Sequence, residues 1–181
     1  MQMSREELKQ LQAGEGIVLG SVKIKGGKDL LGRTQWKLAA KRIDNSGPEY
    51  SMQAHREGDE EFWAVRMAAG SYRIYKLYQE GFSTFLGLTD IQFTVDPGKT
   101  KYLGRLVIEF PPGLLAAATR FTVAIEDGKD GALEKSAMKA GLTVSDVATD
   151  LMKSQDRTGC LTTKVTLGSA PTSTSVRLPC F

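Results

Sequence analysis

At 181 residues, 41% of them hydrophobic, the chain is long enough for one domain with a substantial core. Its net charge of +3 comes from interspersed acids and bases, with no run of Lys and Arg, which argues against a phosphate-tracking stripe and against nucleic acid as a partner. No stretch approaches ~20 apolar residues, so no transmembrane segment is expected. The polar start, Met1 to Glu7, carries no signal peptide. It suits a cytoplasmic chain or one that begins after a removed signal or lipid anchor, and membrane association is expected only in the second case.

Ser4 to Ala13 reads as a short helix, with Ser4 as N-cap and Glu6 and Glu7 in the first turn. Residues 16–25 are the first strand. Val18, Val22 and Ile24 share one face with Gly20, and Ile17, Leu19, Ser21 and Lys23 share the other. Residues 34–43 are the second strand, Trp36, Leu38 and Ala40 alternating with Lys37 and Lys41. From Asp44 to Glu60 the chain is a polar loop with a short strand near Tyr50 to Gln53.

Glu61 to Glu109 reads as a β-meander. Its strands are Phe62–Met67, Tyr72–Tyr78, Ile91–Val95 and Tyr102–Phe110, with turns at Gly70 and Pro97-Gly98. Trp63, Val65 and Met67 form one inward set; Ile91, Phe93 and Val95 form the next; Leu106, Ile108 and Phe110 the last. Residues 120–126 are a further strand with Phe121, Val123 and Ile125 inward. The period then changes. Asp130 to Ala140 and Ser145 to Lys153 read as two short helices, the second with a Val147, Ala148, Leu151, Met152 stripe. In the tail, Leu161 to Leu167 and Ser175 to Leu178 are strand candidates. The division is an N-terminal helical extension (1–14), a β-sandwich domain (15–127), two short helices (128–154) and a tail (155–181). The fold class is mainly β, an antiparallel sandwich of about seven strands.

The two cysteines, Cys160 and Cys180, both lie in that tail. A disulfide between them would close a loop of about 20 residues and would suit an oxidising compartment. His55 is the only histidine, set among acids in His55 to Glu61. One His with two Cys paired in a disulfide cannot supply a zinc site, and the acid spacing matches no calcium loop. No metal, cofactor or catalytic constellation is assigned. Cys160 as a thiol nucleophile would need His55 beside it. A carboxylate pair would need an acid in an apolar setting. Gly26-Gly27-Lys28 lacks the phosphate-loop spacing. Tyr72, Tyr75 and Tyr78 are read as core and sheet-edge packing rather than a binding surface, Tyr72 and Tyr78 sharing a face with Ile74, and Tyr75 lying opposite with Leu77.

Phe62 to Ile74, with Ala69-Gly70-Ser71-Tyr72 at its turn, resembles the hairpin of transthyretin-like or carboxypeptidase-regulatory-like sandwiches. Phe93-Thr94-Val95-Asp96-Pro97-Gly98, followed by Tyr102-Leu103-Gly104, is similar to a stretch of uncharacterised bacterial envelope lipoproteins built on that sandwich, as is Val123 to Asp127 with the helix after it. The likeness spans residues 15–153 loosely. It implies an immunoglobulin-like or transthyretin-like sandwich and a periplasmic or outer-membrane setting, and it transfers no catalytic residue. The chain lacks the family's lipid-accepting Cys near the start. The expected role is a non-enzymatic envelope module that binds a protein or envelope component. A small hydrolase using Cys160 or a carboxylate pair, and a cytoplasmic partner-binding domain, are the alternatives.

Overall fold

The computed structural model describes residues 11–26, 35–54, 60–79, 83–112, 119–128 and 131–165. It is mainly β. The strands are β1 (Glu15–Lys25), β2 (Trp36–Arg42), β3 (Tyr50–Ala54), β4 (Glu60–Ala68), β5 (Gly70–Gln79), β6 (Ser83–Val95), β7 (Thr100–Glu109) and β8 (Arg120–Glu126). Helix α1 (Ala132–Ala140) and a 3-10 turn (Val144–Asp146) precede β9 (Val147–Thr149), β10 (Lys153–Ser154) and β11 (Thr158–Val165).

Neighbouring strands follow the order β3-β2-β5-β6-β11-β8-β7-β1-β4, with β10 on β6 and β9 on β7. Strand β11 joins two half-sheets. Thr158 to Cys160 pair with β8, and Leu161 to Val165 pair with β6. The end strands β3 and β4 lie against each other, so the sheet nearly closes, barrel-like, around one interior. Trp63, Phe93, Leu106 and Phe121 are all buried in it, as their alternation predicts. The crossing of β11 depends on small residues. A Cβ on Gly159 would sit 2.2 Å from the Phe121 ring and one on Gly87 2.7 Å from it, so that ring fills the corner in place of two side chains.

Two expectations are corrected here. The sheet is mixed rather than wholly antiparallel, because β1 and β7 run parallel. The four meander strands are not sequential partners either. Strand β4 pairs with β1, β7 pairs with β1 and β8, and only β5 and β6 form a ladder together. A single residue, Ala69, separates β4 from β5, too few for a two-residue hairpin. Gly70, at φ 153°, instead carries the chain from one half-sheet to the other. The Pro97-Gly98 link does the same between β6 and β7.

In the half-sheet of β1, β4, β7 and β8, the outer side of β1, β4 and β7 is covered, and the outward side chains of β8 are exposed. Ala132, Ala137 and Ala140 of α1 pack on Ile17, Leu19, Ala64 and Tyr102. Small residues let the helix backbone approach closely, and the Ser136 hydroxyl donates to the Gly20 carbonyl at 3.4 Å. The helix ends at Gly141, φ 70°, as predicted. Beside it, Arg105 donates to both oxygens of Glu60, at 2.7 and 2.9 Å, and to Glu126 at 3.0 Å. Ser21 donates to Glu60 at 2.5 Å. A two-pronged pair of this kind satisfies the charge of two largely buried side chains, Arg105 and Glu60.

The predicted helix over Ser145 to Lys153 is not formed. After the 3-10 turn the segment is extended: β9 pairs in parallel with Thr100 to Tyr102, and β10 pairs with Ile91 and Gln92. Strand β8 pairs only with the 105–109 half of β7, so backbone groups on the 100–103 half take partners from residues 147–152. Tertiary hydrogen bonding overrides a weak helical stripe. The N-terminal helix proposed over 4–13 lies outside the described residues up to residue 10, and residues 11–14 form a coil and turn.

Gly104 sits at φ 92° between outward Tyr102 and outward Arg105, and a Cβ there would lie 2.7 Å from the Glu126 carbonyl oxygen. Replacement of Gly104 by Ala is expected to cost about 1–3 kcal/mol. The midpoint of denaturant unfolding measures it, and an unchanged midpoint would contradict this placement.

Candidate recognition face

The outer side of the other half-sheet, β3, β2, β5 and β6, carries no helix among the described residues. Its side chains follow from the pleat, with one break. In β5, Tyr72, Ile74 and Leu77 point inward and are fully buried. The inward set therefore changes parity between 74 and 77. The ladders show the cause: register shifts at Ile74/Lys76 against β6 and at Ala39/Ala40 against β2. Against β2 a bulge puts one extra residue, Tyr75, on β5, and against β6 the extra residue lies on β6, where Thr89 and Asp90 face Tyr75 alone. Tyr75, Lys76 and Tyr78 all come out on the outer face. The expected grouping of Tyr72 with Tyr78, and of Tyr75 with Leu77, is corrected by this bulge.

On that face the tyrosines interleave with lysines. Lys41 Nζ lies 4.6 Å from the Tyr75 ring centre and Lys76 Nζ 5.2 Å from it. Lys76 is also 5.1 Å from the Tyr78 ring centre, and Lys37 is 5.8 Å from it. All four fall within the ~6 Å reach of cation–π attraction. Glu49 accepts a hydrogen bond from the Tyr75 hydroxyl and pairs with Lys76 at 3.2 Å. The Tyr75 hydroxyl, and after it Lys76, hold the Glu49 carboxyl below its usual range despite some burial. Tyr72 shows the contrast of the inward side. Desolvation, then its neighbour Tyr50, pushes its phenol up to about 12.

Toward the β6–β7 corner the same face deepens into a groove of about 340 Å³, lined by Ile43, Ser71, Gln92, Phe93, Thr94, Asp150, Leu151 and Lys153. That size suits a small polar ligand or one residue of a polymer. One wall is the 147–153 segment. Asp150 N–H donates to the Tyr102 carbonyl and Met152 N–H to that of Leu103, which fixes the wall against β7. Behind the groove, Lys101 Nζ meets Asp150 Oδ2 at 2.8 Å, Thr94 Oγ1 at 2.9 Å and Asp96 Oδ2 at 3.0 Å. These acceptors match the three protons of an ammonium. Desolvation pulls Lys101 down, but hydrogen bonds to Asp150 and Asp96 outweigh it and raise its pKa. The Lys101 hydrogen bond, with smaller help from Thr94 and Lys153, holds Asp150 low against burial.

The sequence-level candidates fall elsewhere. Cys160 lies on β11, opposite Arg120 in the β8 ladder. Its proposed partner Cys180, and His55, lie outside the described residues, as do Gly27 and Lys28. No cluster of three or more His, Cys, Asp or Glu suited to a metal occurs among the described residues. No described helix is long and apolar enough to cross a membrane. Two pairs of carboxylates meet, each on a cation: Glu60 and Glu126 on Arg105, and Asp96 and Asp150 on Lys101, where Asp150 is held ionised rather than protonated as a general acid would require. Thr94, Gln92 and Asp150 were missed as a site because the 145–153 segment reads as a helix. The parity break between Ile74 and Leu77 is the one signal that could have placed Tyr75 beside Tyr78.

Asp150→Asn tests the corner. A lowered Asp150 pKa contributes stability above its unfolded value of 3.8, lost as pH falls through the folded value. A raised Lys101 pKa contributes below its unfolded value of 10.5, lost as pH rises through the folded one. The variant is therefore expected to be less stable by about 0.5–1 kcal/mol between about pH 4 and pH 10, a small figure because Asp150 is half-exposed. The gap closes toward about pH 2, and denaturant melts across pH that show a constant gap would contradict it. Comparisons with protein-family models, with curated proteins and with solved structures find no match to this chain.

Proposed function

We propose that this chain is a non-enzymatic binding module of the bacterial cell envelope, and that it takes its ligand on the outer face of β2, β5 and β6. The observation that carries the reading is an asymmetry. One half-sheet has the outer side of β1, β4 and β7 covered by α1 beside the Arg105 cluster, and the other presents a polar groove beside half-buried lysines and tyrosines with no helix over them among the described residues. The groove offers donors and acceptors of both kinds: the Ser71 and Thr94 hydroxyls, the Gln92 amide, the Asp150 carboxylate and the Lys153 ammonium. Such a set fits a polar envelope component, a peptide stem or a sugar, better than an apolar molecule.

The transthyretin-like sandwich belongs to the same proposal. Its support is a single interior shared by two half-sheets and the resemblance around Phe62 to Gly104. The parallel β1–β7 pair and the bridging β11 weigh against it. The envelope address has its support in that resemblance and in the Cys160 and Cys180 pairing that an oxidising compartment favours.

Two measurements test the reading. Amide chemical-shift mapping of the labelled protein against soluble envelope extract is expected to move Ser71, Gln92, Thr94 and Lys153. Shifts confined to the α1 face, or none, would contradict it. Thiol titration of the unreduced, denatured protein is expected to find no free thiol. Two free thiols would remove the envelope address and favour a cytoplasmic partner-binding domain.

A further inference from the structure

We infer that the lysine–tyrosine patch next to the groove rests on an anionic lipid surface. The patch is a sheet face of seven side chains from three adjacent strands. Lys37 and Lys41 come from β2, Tyr75, Lys76 and Tyr78 from β5, and Leu86 and Leu88 from β6. Register sets them in rows: Lys37 by Tyr78 by Leu86, then Ala39 by Lys76 by Leu88.

Three features of this face point to a lipid boundary. The first is charge. With Arg73 beside Lys41 in the ladder, four cations stand against Glu49 and, at the groove end, Asp90. The second is an exposed apolar side chain among the cations. Leu88 is 65% exposed, equal to Met138 as the most exposed large hydrophobic among the described residues, and it adjoins Lys76. Water gains nothing from a leucine held there, whereas the acyl boundary of a bilayer does. The third is the kind of aromatic. Tyr75 and Tyr78 carry an apolar ring with a polar tip, the pairing that settles at headgroup depth.

The same geometry argues against a single-stranded nucleic acid. Base stacking needs an open ring face. Here lysine ammonium groups stand over both rings, within 5.8 Å of their centres. Recognition on this face is therefore by charge and shallow insertion. It requires no occupant in the groove.

Vesicle co-sedimentation tests the inference. The full chain is expected to bind vesicles of equal parts phosphatidylglycerol and phosphatidylcholine, and not vesicles of phosphatidylcholine alone. Raising ionic strength should release it, as screening of surface charge requires. Lys37→Gln is expected to weaken binding about fivefold, and Lys37→Gln with Lys41→Gln and Lys76→Gln about a hundredfold. Leu88→Ala should weaken it about threefold to tenfold through lost insertion. Lys135→Gln with Lys139→Gln, on the opposite α1 face, should leave it unchanged. The single Lys37→Gln and Leu88→Ala changes lie at the surface and keep the test valid if the triple variant fails to fold. Equal binding to both vesicle types, or binding that Lys37→Gln and Leu88→Ala leave unchanged, would overturn the inference. So would tighter binding, through the same lysines, to a single-stranded oligonucleotide than to the anionic vesicles.

Discussion

Side chains on a strand alternate, so a face holds together only while the pleat keeps its phase. In β5 that phase is reset once, at Tyr75 and Lys76, and the recognition face exists because of the reset. Without the extra residue, Leu77 would join Tyr75 in water and Tyr78 would turn into the interior. Burial settles which arrangement wins. Each inward leucine or tyrosine contributes roughly 1.5–3 kcal/mol of apolar transfer. That exceeds the cost of leaving one strand residue out of the ladder, which is on the order of one hydrogen bond. The bulge is thus the cheaper way to keep Tyr72, Ile74 and Leu77 all inside.

A second reset, at Gly104, performs the matching task on the covered side. It leaves Tyr102 and Arg105 both outward, three residues apart, so that one packs under α1 and the other meets Glu60 and Glu126. The two half-sheets differ in what their outer sides can bury. Ile17 and Leu19 demand a cover, and α1 supplies it with alanines. Lys37 and Lys41 make no such demand, and the small Ala39 between them is buried without a helix over it. The asymmetry that underlies the functional reading is in this sense a matter of which residues occupy alternate positions in β1 and in β2.

Much of this was legible beforehand. The strand at 120–126 and the inward sets of β1, β2, β4 and β8 follow from alternation alone, and α1 from its period and its Gly141 stop. What alternation does not encode is pairing. Ala69 and the Pro97-Gly98 turn look like hairpin links in one dimension, yet both carry the chain across the interior. In the fold β1 pairs with both β4 and β7, and β5 and β6 pair with each other in the other half-sheet. The 147–153 segment illustrates the same limit. Its apolar residues fit a helical stripe and an extended strand about equally, and the unpaired half of β7 makes the choice. Candidate chemistry was least legible, since Thr94, Lys101 and Asp150 are brought together only by that choice.

The phase of β5 is the claim on which the recognition face stands, and tyrosine nitration of the folded protein, read by mass spectrometry, tests it most directly. Tyr72 and Tyr102 are fully buried, and Tyr75 and Tyr78 are partly exposed on one face. The account predicts that Tyr75 and Tyr78 are nitrated while Tyr72 and Tyr102 stay protected until the chain unfolds. Tyr72 and Tyr78 reacting alike, with Tyr75 set apart from both, would mean an unbroken pleat and would contradict it.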